Sequence, residues 1–408
     1  MPTRLLITLL ALLAAIPALA APALAPPAAA APAPALTDER PPDPSQDAFY
    51  TPPNPLPGKP GDILRTRDVD WHPEPFRVLP APVATTQVLY RSTSATGTPN
   101  AVTGTVLVPP IPWTNGPRPL IAYAMGTQGL ADRCAPSYRL RVGEEVEIAF
   151  LVQAMLKGWA VVVTDYEGLG TPGTHTYAVG QSEGRALLDA ARAATKLLQV
   201  PGTPVGAFGY SQGGQAAAFA AELQPTYAPD VRLVGVAEGG VPADMNEVAR
   251  FNDGGLGSGL VVGAAVGYAT AYPELPLPLN AHGQEVTRKV ADACVAEMAL
   301  LAPFTRIDSL TTVPGVIRDP RWQARLAENR LGAVRPAVPV YLYHGTVDEL
   351  IPYRTATGLR DRYCALGADL QWTALPLAGH ITAVSVGGAS ALDWLGDRFA
   401  GHGTRPTC

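Results

Sequence analysis

The fold is decided by one stretch of the sequence, Pro204-Val205-Gly206-Ala207-Phe208-Gly209-Tyr210-Ser211-Gln212-Gly213-Gly214-Gln215-Ala216-Ala217-Ala218. Residues 204–208 form a short apolar run that predicts a buried strand, and the alanine-rich residues 214–223 predict a helix. The five residues between them fit the pattern G-x-S-x-G, which puts a serine on a sharp turn from strand to helix. Glycines on both sides allow the close backbone approach that this turn requires, so the Ser211 hydroxyl should project beyond a sheet.

The chemistry of a nucleophile suits this arrangement. A helix that begins at Gln212 aims free N–H groups and the positive end of its dipole at the place where negative charge would develop on a substrate. We therefore interpret Ser211 as a nucleophile and the Gln212 backbone N–H as an oxyanion donor. The alternative is an ordinary glycine-rich turn with a capping serine, and the strand and helix on either side disfavour it.

A serine nucleophile of this kind needs a base, and in this fold the acid and then the histidine follow the serine along the chain. The histidines downstream of Ser211 are His282, His344, His380 and His402. His380 is the candidate base because it follows a predicted strand at 371–375 and precedes a predicted helix at 389–399. His344 ends a strand, which suits a packing role.

The candidate acid is Asp348, which lies in the loop just past a predicted buried strand at 340–343. A carboxylate there can accept the imidazole N–H and stabilise the imidazolium. Glu349 is the adjacent alternative. Glu238 is another, because it follows the strand next in sequence to the nucleophile, and a surface role for Asp348 is also open.

A second oxyanion donor is expected from the loop after an early strand at 120–125. That loop is Gly126-Thr127-Gln128-Gly129-Leu130. We assign Thr127 and Gln128 to this role, with a plain glycine-rich turn as the alternative.

The remaining strand and helix patterns give the fold class. Apolar runs at 160–164, 205–208 and 233–237 are typical of parallel strands buried on both faces, and residues 183–198 form an amphipathic helical pattern. Residues 86–91 and 101–108 predict antiparallel strands. Together they predict the α/β class, with an α/β-hydrolase core in which a mostly parallel central sheet is flanked by helices, and an inserted helical cap or lid.

The chain is expected to have one catalytic domain in two parts, 41–240 and 322–408, interrupted by the cap at 241–321. About eighty residues without a buried strand are long for a loop, and we predict a helix near 286–301. Residues 1–20 resemble a cleavable secretion signal, with Arg4, an apolar stretch and Ala18-Leu19-Ala20. Residues 21–40, rich in Ala and Pro, are expected to stay extended.

Composition narrows the classes of partner. The chain has 408 residues, a net charge of -5 and 16% charged residues, which gives no basic surface for nucleic acid. The four cysteines, Cys134, Cys294, Cys364 and Cys408, favour two disulfides in a secreted chain. Spacing alone leaves three pairings open. No CxxC pair is present, so we expect no metal site.

Five stretches together resemble the secretory lipase family, and they follow one another in the family's order: Phe49-Tyr50-Thr51-Pro52-Pro53, Cys134-Ala135-Pro136-Ser137, Asp165-Tyr166-Glu167-Gly168, Gly209-Tyr210-Ser211-Gln212-Gly213-Gly214 and His344-Gly345-Thr346-Val347-Asp348. The resemblance extends over 46–408. It implies an α/β-hydrolase core with a helical lid and a triad on Ser211, Asp348 and His380.

The resemblance also implies disulfides between Cys134 and Cys294 and between Cys364 and Cys408. One departure concerns the oxyanion loop, where lipase A types are thought to use an acidic side chain and this sequence has Thr127 and Gln128.

The sequence therefore predicts a secreted, extracellular serine hydrolase that cleaves triacylglycerols or other lipid-like esters through an acyl-enzyme. We expect a monomer without cofactor or permanent membrane anchor, whose small-molecule or lipid ester substrate can lie at a lipid–water interface. The alternatives are a peptidase or small-ester carboxylesterase of the same fold, and an inactive binding protein that has kept the fold.

Overall fold

The computed structural model describes residues 40–76 and 80–408. The predicted secretion signal and the Ala/Pro-rich segment up to residue 39 lie outside the described residues. At the centre is a sheet of nine strands in the spatial order β1-β2-β3-β5-β4-β6-β7-β8-β9. Their bounds are β1 Ile63–Asp68, β2 Ala84–Thr93, β3 Pro99–Val108, β4 Leu120–Ala124, β5 Ala160–Thr164, β6 Val205–Tyr210, β7 Leu233–Gly239, β8 Val340–Gly345 and β9 Leu370–Leu375.

The sheet is mostly parallel, as predicted. The first strands β1, β2 and β3 pair antiparallel, and β3 pairs antiparallel with β5. All neighbours from β5 to β9 are parallel. Strand β5 lies on one side of β4, and the next strand along the chain, β6, lies on the other side. The sheet therefore has a topological switch point between β4 and β6. In α/β proteins, ligands bind at such a point, at the carboxyl ends of the strands.

Helices cover both faces of this sheet. The described helices are α1 Pro136–Val142, α2 Ile148–Leu156, α3 Gly180–Leu197, α4 Gln212–Tyr227, α5 Met245–Asn252, α6 Ser258–Ala271, α7 Ala281–Ala291, α8 Val295–Leu301, α9 Ile307–Leu310, α10 Pro320–Glu328, α11 Tyr353–Ala365 and α12 His380–Phe399. Small side chains of α3 and α4 pack on one face, and α2 and α12 pack on the other. The α/β-hydrolase core predicted from the sequence is thus confirmed.

Helices α5 to α10 all lie between β7 and β8 and share an apolar core that includes Val262, Met298, Leu310 and Trp322. Residues 240–339, all of which are described, add no strand to the sheet. The division into a core and a cap at 241–321 stays a prediction, and α10 crosses the boundary at residue 321. Within the described ranges no helix is long and apolar enough to cross a membrane.

Two local predictions need correction. The helix predicted at 286–301 is two helices, because the chain at Ala293 and Cys294 turns to bond with the loop at 128–130. Helix α12 begins at His380 and not at 389, since its glycine-rich first half packs on the sheet despite weak helix propensity.

Two disulfides join Cys134 to Cys294 and Cys364 to Cys408, the pairs that the family resemblance implies. The first connects the segment before α1 to the start of α8, and the second holds the C-terminus against α11. Such crosslinks stabilise the folded chain mainly because they restrict the conformations of the unfolded chain.

Candidate active site

Ser211 stands on the turn between β6 and α4 in a backbone conformation that favours glycine, with φ of 58°. Its N–H donates to the Gly239 carbonyl, 2.9 Å away. A Cβ on Gly209 would collide with the Gly213 carbonyl, and one on Gly213 would collide with the Ala124 carbonyl. The spacing of the glycines around the serine is therefore a packing requirement of this turn, and strain of this kind is typical of functional sites.

A chain of hydrogen bonds joins three of the predicted site residues. The Ser211 Oγ lies 3.0 Å from His380 Nε2, and His380 Nδ1 lies 2.7 Å from Asp348 Oδ2. With a neutral imidazole and an ionised Asp348, Nδ1–H donates to the carboxylate and Nε2 accepts from the serine hydroxyl. The structure thus brings together the serine, histidine and aspartate that the sequence singled out.

Asp348 is buried but ionised. Burial opposes ionisation, yet the bonds from His380 and from the Ile351 N–H lower the pKa of Asp348 below its usual value. Its Oδ1 accepts from the Leu350 and Ile351 N–H groups at 3.0 and 2.8 Å. Backbone donors of this kind stabilise a carboxylate, so the acid is fixed in the form that can orient a histidine.

His344 packs beside Asp348, in line with the packing role predicted for it. It is fully buried, and its Nε2–H donates to the Ile351 carbonyl at 2.9 Å. Burial lowers the pKa of His344, which keeps it neutral in the usual pH range.

The alternative acids occupy other positions. The Glu349 carboxylate accepts from the His380 backbone N–H and not from the imidazole. Glu238 is fully buried, and neither of its carboxyl oxygens has a partner among the described residues. Burial raises the pKa of Glu238 well above its usual value, so this group is a neutral core acid without contact to His380.

The oxyanion loop sends its two candidate side chains in different directions. Thr127 lines the same cavity as Ser211 and Gln212. The Gln128 amide instead turns toward Glu145, with 3.5 Å between Nε2 and Oε1, and the Gln128 carbonyl accepts from the Val295 N–H. An oxyanion role for either residue stays a prediction.

The side chain of Gln212 is buried and makes two polar contacts that the sequence did not indicate. Its Nε2 donates to Glu183 Oε1 at 2.8 Å and contacts His175 Nε2 at 3.0 Å. Burial lowers the pKa of His175 to about 4 and raises the pKa of Glu183 to about 8. Both are neutral near neutral pH, so His175 Nδ1–H donates to the Glu167 carbonyl and Nε2 accepts from the amide.

A cavity opens at Ser211 between the sheet and helices α5 and α6. None of the described residues that line it is charged, and its walls are mainly apolar: Thr127, Tyr177, Ala178, Ser211, Gln212, Gln215, Pro242, Met245, Val248, Asn252, Leu260, Val261, Leu350 and Ile351. Within the described ranges no cluster of three or more His, Cys, Asp or Glu side chains could hold a metal ion. The cavity therefore suits an uncharged, apolar group.

A serine on a strand-to-helix turn, with an aspartate and a histidine after later strands, defines an α/β-hydrolase. The chain belongs to the secretory lipase family, because the family model described as "Secretory lipase" matches residues 137–406. Fold and family support carboxylic ester hydrolysis. The two disulfides and the family's secretory character favour an extracellular location.

Individual relatives agree with this assignment. A "Probable inactive lipase" of Mycobacterium tuberculosis is 32% identical, over 88% of this chain and 83% of the relative. Lipase 6 of Candida albicans is 31% identical, over 88% of this chain and 82% of that protein. The closed-state structure of Candida antarctica lipase A superposes with a TM-score of 0.83 at 26% identity, and covers 90% of this chain and 89% of its own.

Proposed function

We propose that this chain is a secreted lipase that cleaves lipid-like carboxylic esters through an acyl-enzyme on Ser211. His380 is the general base and Asp348 orients it. The observation that carries the proposal is the unbroken chain of hydrogen bonds from Ser211 through His380 to Asp348, which opens onto an uncharged, apolar cavity.

Acylation follows from this geometry. The Ser211 oxygen attacks the ester carbonyl carbon while its proton moves to His380 Nε2, and the buried Asp348 carboxylate stabilises the imidazolium. The tetrahedral intermediate collapses when the imidazolium gives the proton to the departing alkoxide, which leaves as the alcohol. Water then attacks the acyl-enzyme with His380 again as base, and the carboxylic acid leaves.

Negative charge on the intermediate's oxygen requires donors. The Gln212 N–H is the first of α4 and has no intrahelical acceptor, so it is free to donate to the oxyanion. Thr127, which lines the same cavity, is the second donor in this proposal. Donors already fixed in position stabilise the transition state more than the ester itself.

The cavity supports an ester of an apolar acid over the peptidase alternative. A site for a peptide terminus needs a charged partner, and among residues 40–76 and 80–408 no charged side chain lines this cavity. The side chains of Val248, Leu260 and Val261 instead offer apolar surface, whose burial against an acyl chain is favourable by about 0.8 kcal/mol per methylene.

The inactive alternative has support from one relative that is named a probable inactive lipase. Treatment with a fluorophosphonate, followed by mass spectrometry of the peptide that contains Ser211, distinguishes an active hydrolase from an inactive protein of the same fold. We expect a stoichiometric adduct in the wild type and none in S211A. No adduct on folded wild-type protein would contradict the enzymatic proposal.

Turnover of p-nitrophenyl esters with acyl chains of increasing length tests the substrate class. We expect hydrolysis that persists with long chains, and a loss of at least about 10⁴-fold in kcat for S211A. A steep fall beyond short chains would favour the small-ester carboxylesterase. Export is also proposed to remove residues 1–20, which N-terminal sequencing of the secreted protein would check.

A further inference from the structure

A pair of hydroxyl groups lines the cavity that contains Ser211. The Thr127 Oγ1 is 3.1 Å from the Tyr177 hydroxyl. Both residues line the cavity together with Ser211 and Gln212. Thr127 comes from the loop after β4 and Tyr177 from the segment before α3, fifty residues along the chain. Two separate parts of the core thus meet in the lining of the cavity at Ser211.

The direction of this hydrogen bond follows from the chemistry of the two groups. Tyr177 is only 7% exposed, and within the described chain its hydroxyl has no partner other than Thr127. Burial raises the pKa of Tyr177 to about 12, so the phenol keeps its proton. A phenol is a stronger donor than an aliphatic hydroxyl, and the Tyr177 O–H therefore donates to the Thr127 oxygen.

The Thr127 proton is then left to point elsewhere. A hydroxyl has one donor and two acceptor positions, and Tyr177 occupies an acceptor position. Thr127 Oγ1 has no second partner among the described side chains and backbone groups. Its proton is therefore available to an acceptor in the cavity.

Tyr177 is held in place by an aromatic stack that also contacts the oxyanion loop. Its ring lies 6.1 Å from the His175 ring, and the Tyr166 ring stacks on His175 at 5.9 Å. The Tyr166 hydroxyl donates to the Met125 carbonyl at 2.7 Å. His175 in turn contacts the Gln212 amide, so the segment that holds His175 and Tyr177 contacts both residues that are expected to supply oxyanion donors.

We propose that the Thr127 side-chain hydroxyl donates a hydrogen bond to the oxyanion, and that Tyr177 is the positioning residue that directs this hydroxyl. The inference rests on the proposed function and adds a specific role to it. No proton is transferred, since Thr127 remains protonated throughout. The bond strengthens as the carbonyl oxygen gains charge, so it acts on kcat and leaves KM nearly unchanged.

A double-mutant cycle with a p-nitrophenyl ester tests the proposal. T127V removes the donor and should lower kcat by roughly 10²-fold, the usual effect of losing one oxyanion donor. Y177F removes only the positioning hydroxyl, and we expect a loss of roughly tenfold in kcat with KM unchanged. The double variant Y177F/T127V should be no slower than T127V, because Tyr177 acts only through Thr127.

Two further variants separate this role from a structural one. T127S keeps the hydroxyl and should retain kcat within about threefold of the wild type. Y90F is a matched control, since Tyr90 is a fully buried tyrosine whose hydroxyl lies 2.7 Å from the Thr164 hydroxyl, inside the core. Y90F should leave kcat unchanged.

Binding of a trifluoromethyl ketone gives a second readout. Ser211 adds to its carbonyl carbon, His380 takes the serine proton, and the product carries the oxyanion. We expect its affinity to fall in T127V and Y177F by the same factors as kcat. A Y177F variant with wild-type kcat, or one that loses the same factor in the T127V background, would overturn the role of Tyr177. A folded wild type without esterase activity or phosphonate adduct would instead overturn the proposed function and this role with it.

Discussion

The Glu349 carboxylate accepts a hydrogen bond from the His380 backbone N–H, with 2.9 Å between Oε2 and N, while its neighbour Asp348 accepts from the imidazole of the same histidine. Two consecutive acidic residues thus accept hydrogen bonds from the backbone and from the side chain of His380. His380 is the first residue of α12, whose first N–H groups have no intrahelical acceptors. Glu349 therefore provides an acceptor for the first N–H group of α12 and also fixes the position of the His380 backbone.

Replacement of Glu349 by Ala should affect both stability and turnover. Loss of a side chain that caps a helix costs about 1 kcal/mol in the free energy of unfolding, and displacement of the base lowers kcat by roughly tenfold at most. Urea unfolding and ester turnover measure the two effects. E349Q keeps an acceptor oxygen and should lose less of each. An E349A variant equal to the wild type in both would contradict this account.

The buried Glu183 should make folding stability depend on pH. Burial raises its pKa from 4.5 to about 8, so the folded chain keeps a proton that the unfolded chain releases. Stability is therefore full below about pH 4.5 and falls as pH rises toward about 8, by at most about 1.4 kcal/mol per pH unit from this one group. E183Q is neutral at all pH and should lose this slope.

Urea unfolding of both proteins between about pH 5 and about pH 7.5 measures the effect. The free energy of unfolding of E183Q minus that of the wild type should rise with pH. The slope is the test, because the cost of burying an amide where Glu183 Oε2 has no partner in the described chain does not depend on pH. E285Q, at an exposed position, is the control with a flat difference. A flat difference for E183Q would show that Glu183 ionises normally.

The sequence was informative about those candidate site residues whose positions follow from a local sequence pattern. Ser211 could be found because its turn requires glycine at two positions. A Cβ on Gly209 would collide with the Gly213 carbonyl, and one on Gly213 would collide with the Ala124 carbonyl. Asp348 and His380 could be found because each follows a strand of a parallel sheet, and the carboxyl ends of such strands lie at one edge.

The residues that the sequence did not reveal act across long distances in the chain. His175 and Tyr177 lie in the irregular segment before α3, and Glu183 lies in the first turn of α3. No sequence motif marks these three residues as neighbours of the site. They matter only because tertiary packing brings them to Gln212 and Thr127. The break between α7 and α8 was missed for the same reason, since it is set by backbone bonds to the loop at 128–130.

The two disulfides should differ in their contribution to stability. Cys134 and Cys294 are 160 residues apart, whereas Cys364 and Cys408 are 44 apart. Chain entropy gives about 5 kcal/mol for the longer loop and about 4 kcal/mol for the shorter one. We expect C134A/C294A to lose about 1 kcal/mol more in the free energy of unfolding than C364A/C408A, as measured by urea unfolding. The reverse order would show that native-state contacts dominate.

The apolar cavity predicts how acyl-chain preference can be changed. Val261 of α6 lines the cavity at Ser211 and also borders a second apolar cavity beside Trp322. A tryptophan at position 261 should fill the space that a long acyl chain needs, while an acetyl group still fits beside the serine. Exclusion of about three methylenes, at about 0.8 kcal/mol each, lowers kcat/KM for a laurate ester by roughly 50-fold relative to the acetate ester.

The ratio of laurate to acetate turnover is the measurement, because it cancels any general loss of active protein caused by overpacking at a buried position. V313W is the matched control, since Val313 is 54% exposed and lies outside the cavity, and its ratio should equal that of the wild type. An unchanged ratio in V261W would mean that the acyl chain leaves Ser211 in another direction, and the cavity between the sheet and α6 would then have to receive the alcohol portion of the ester.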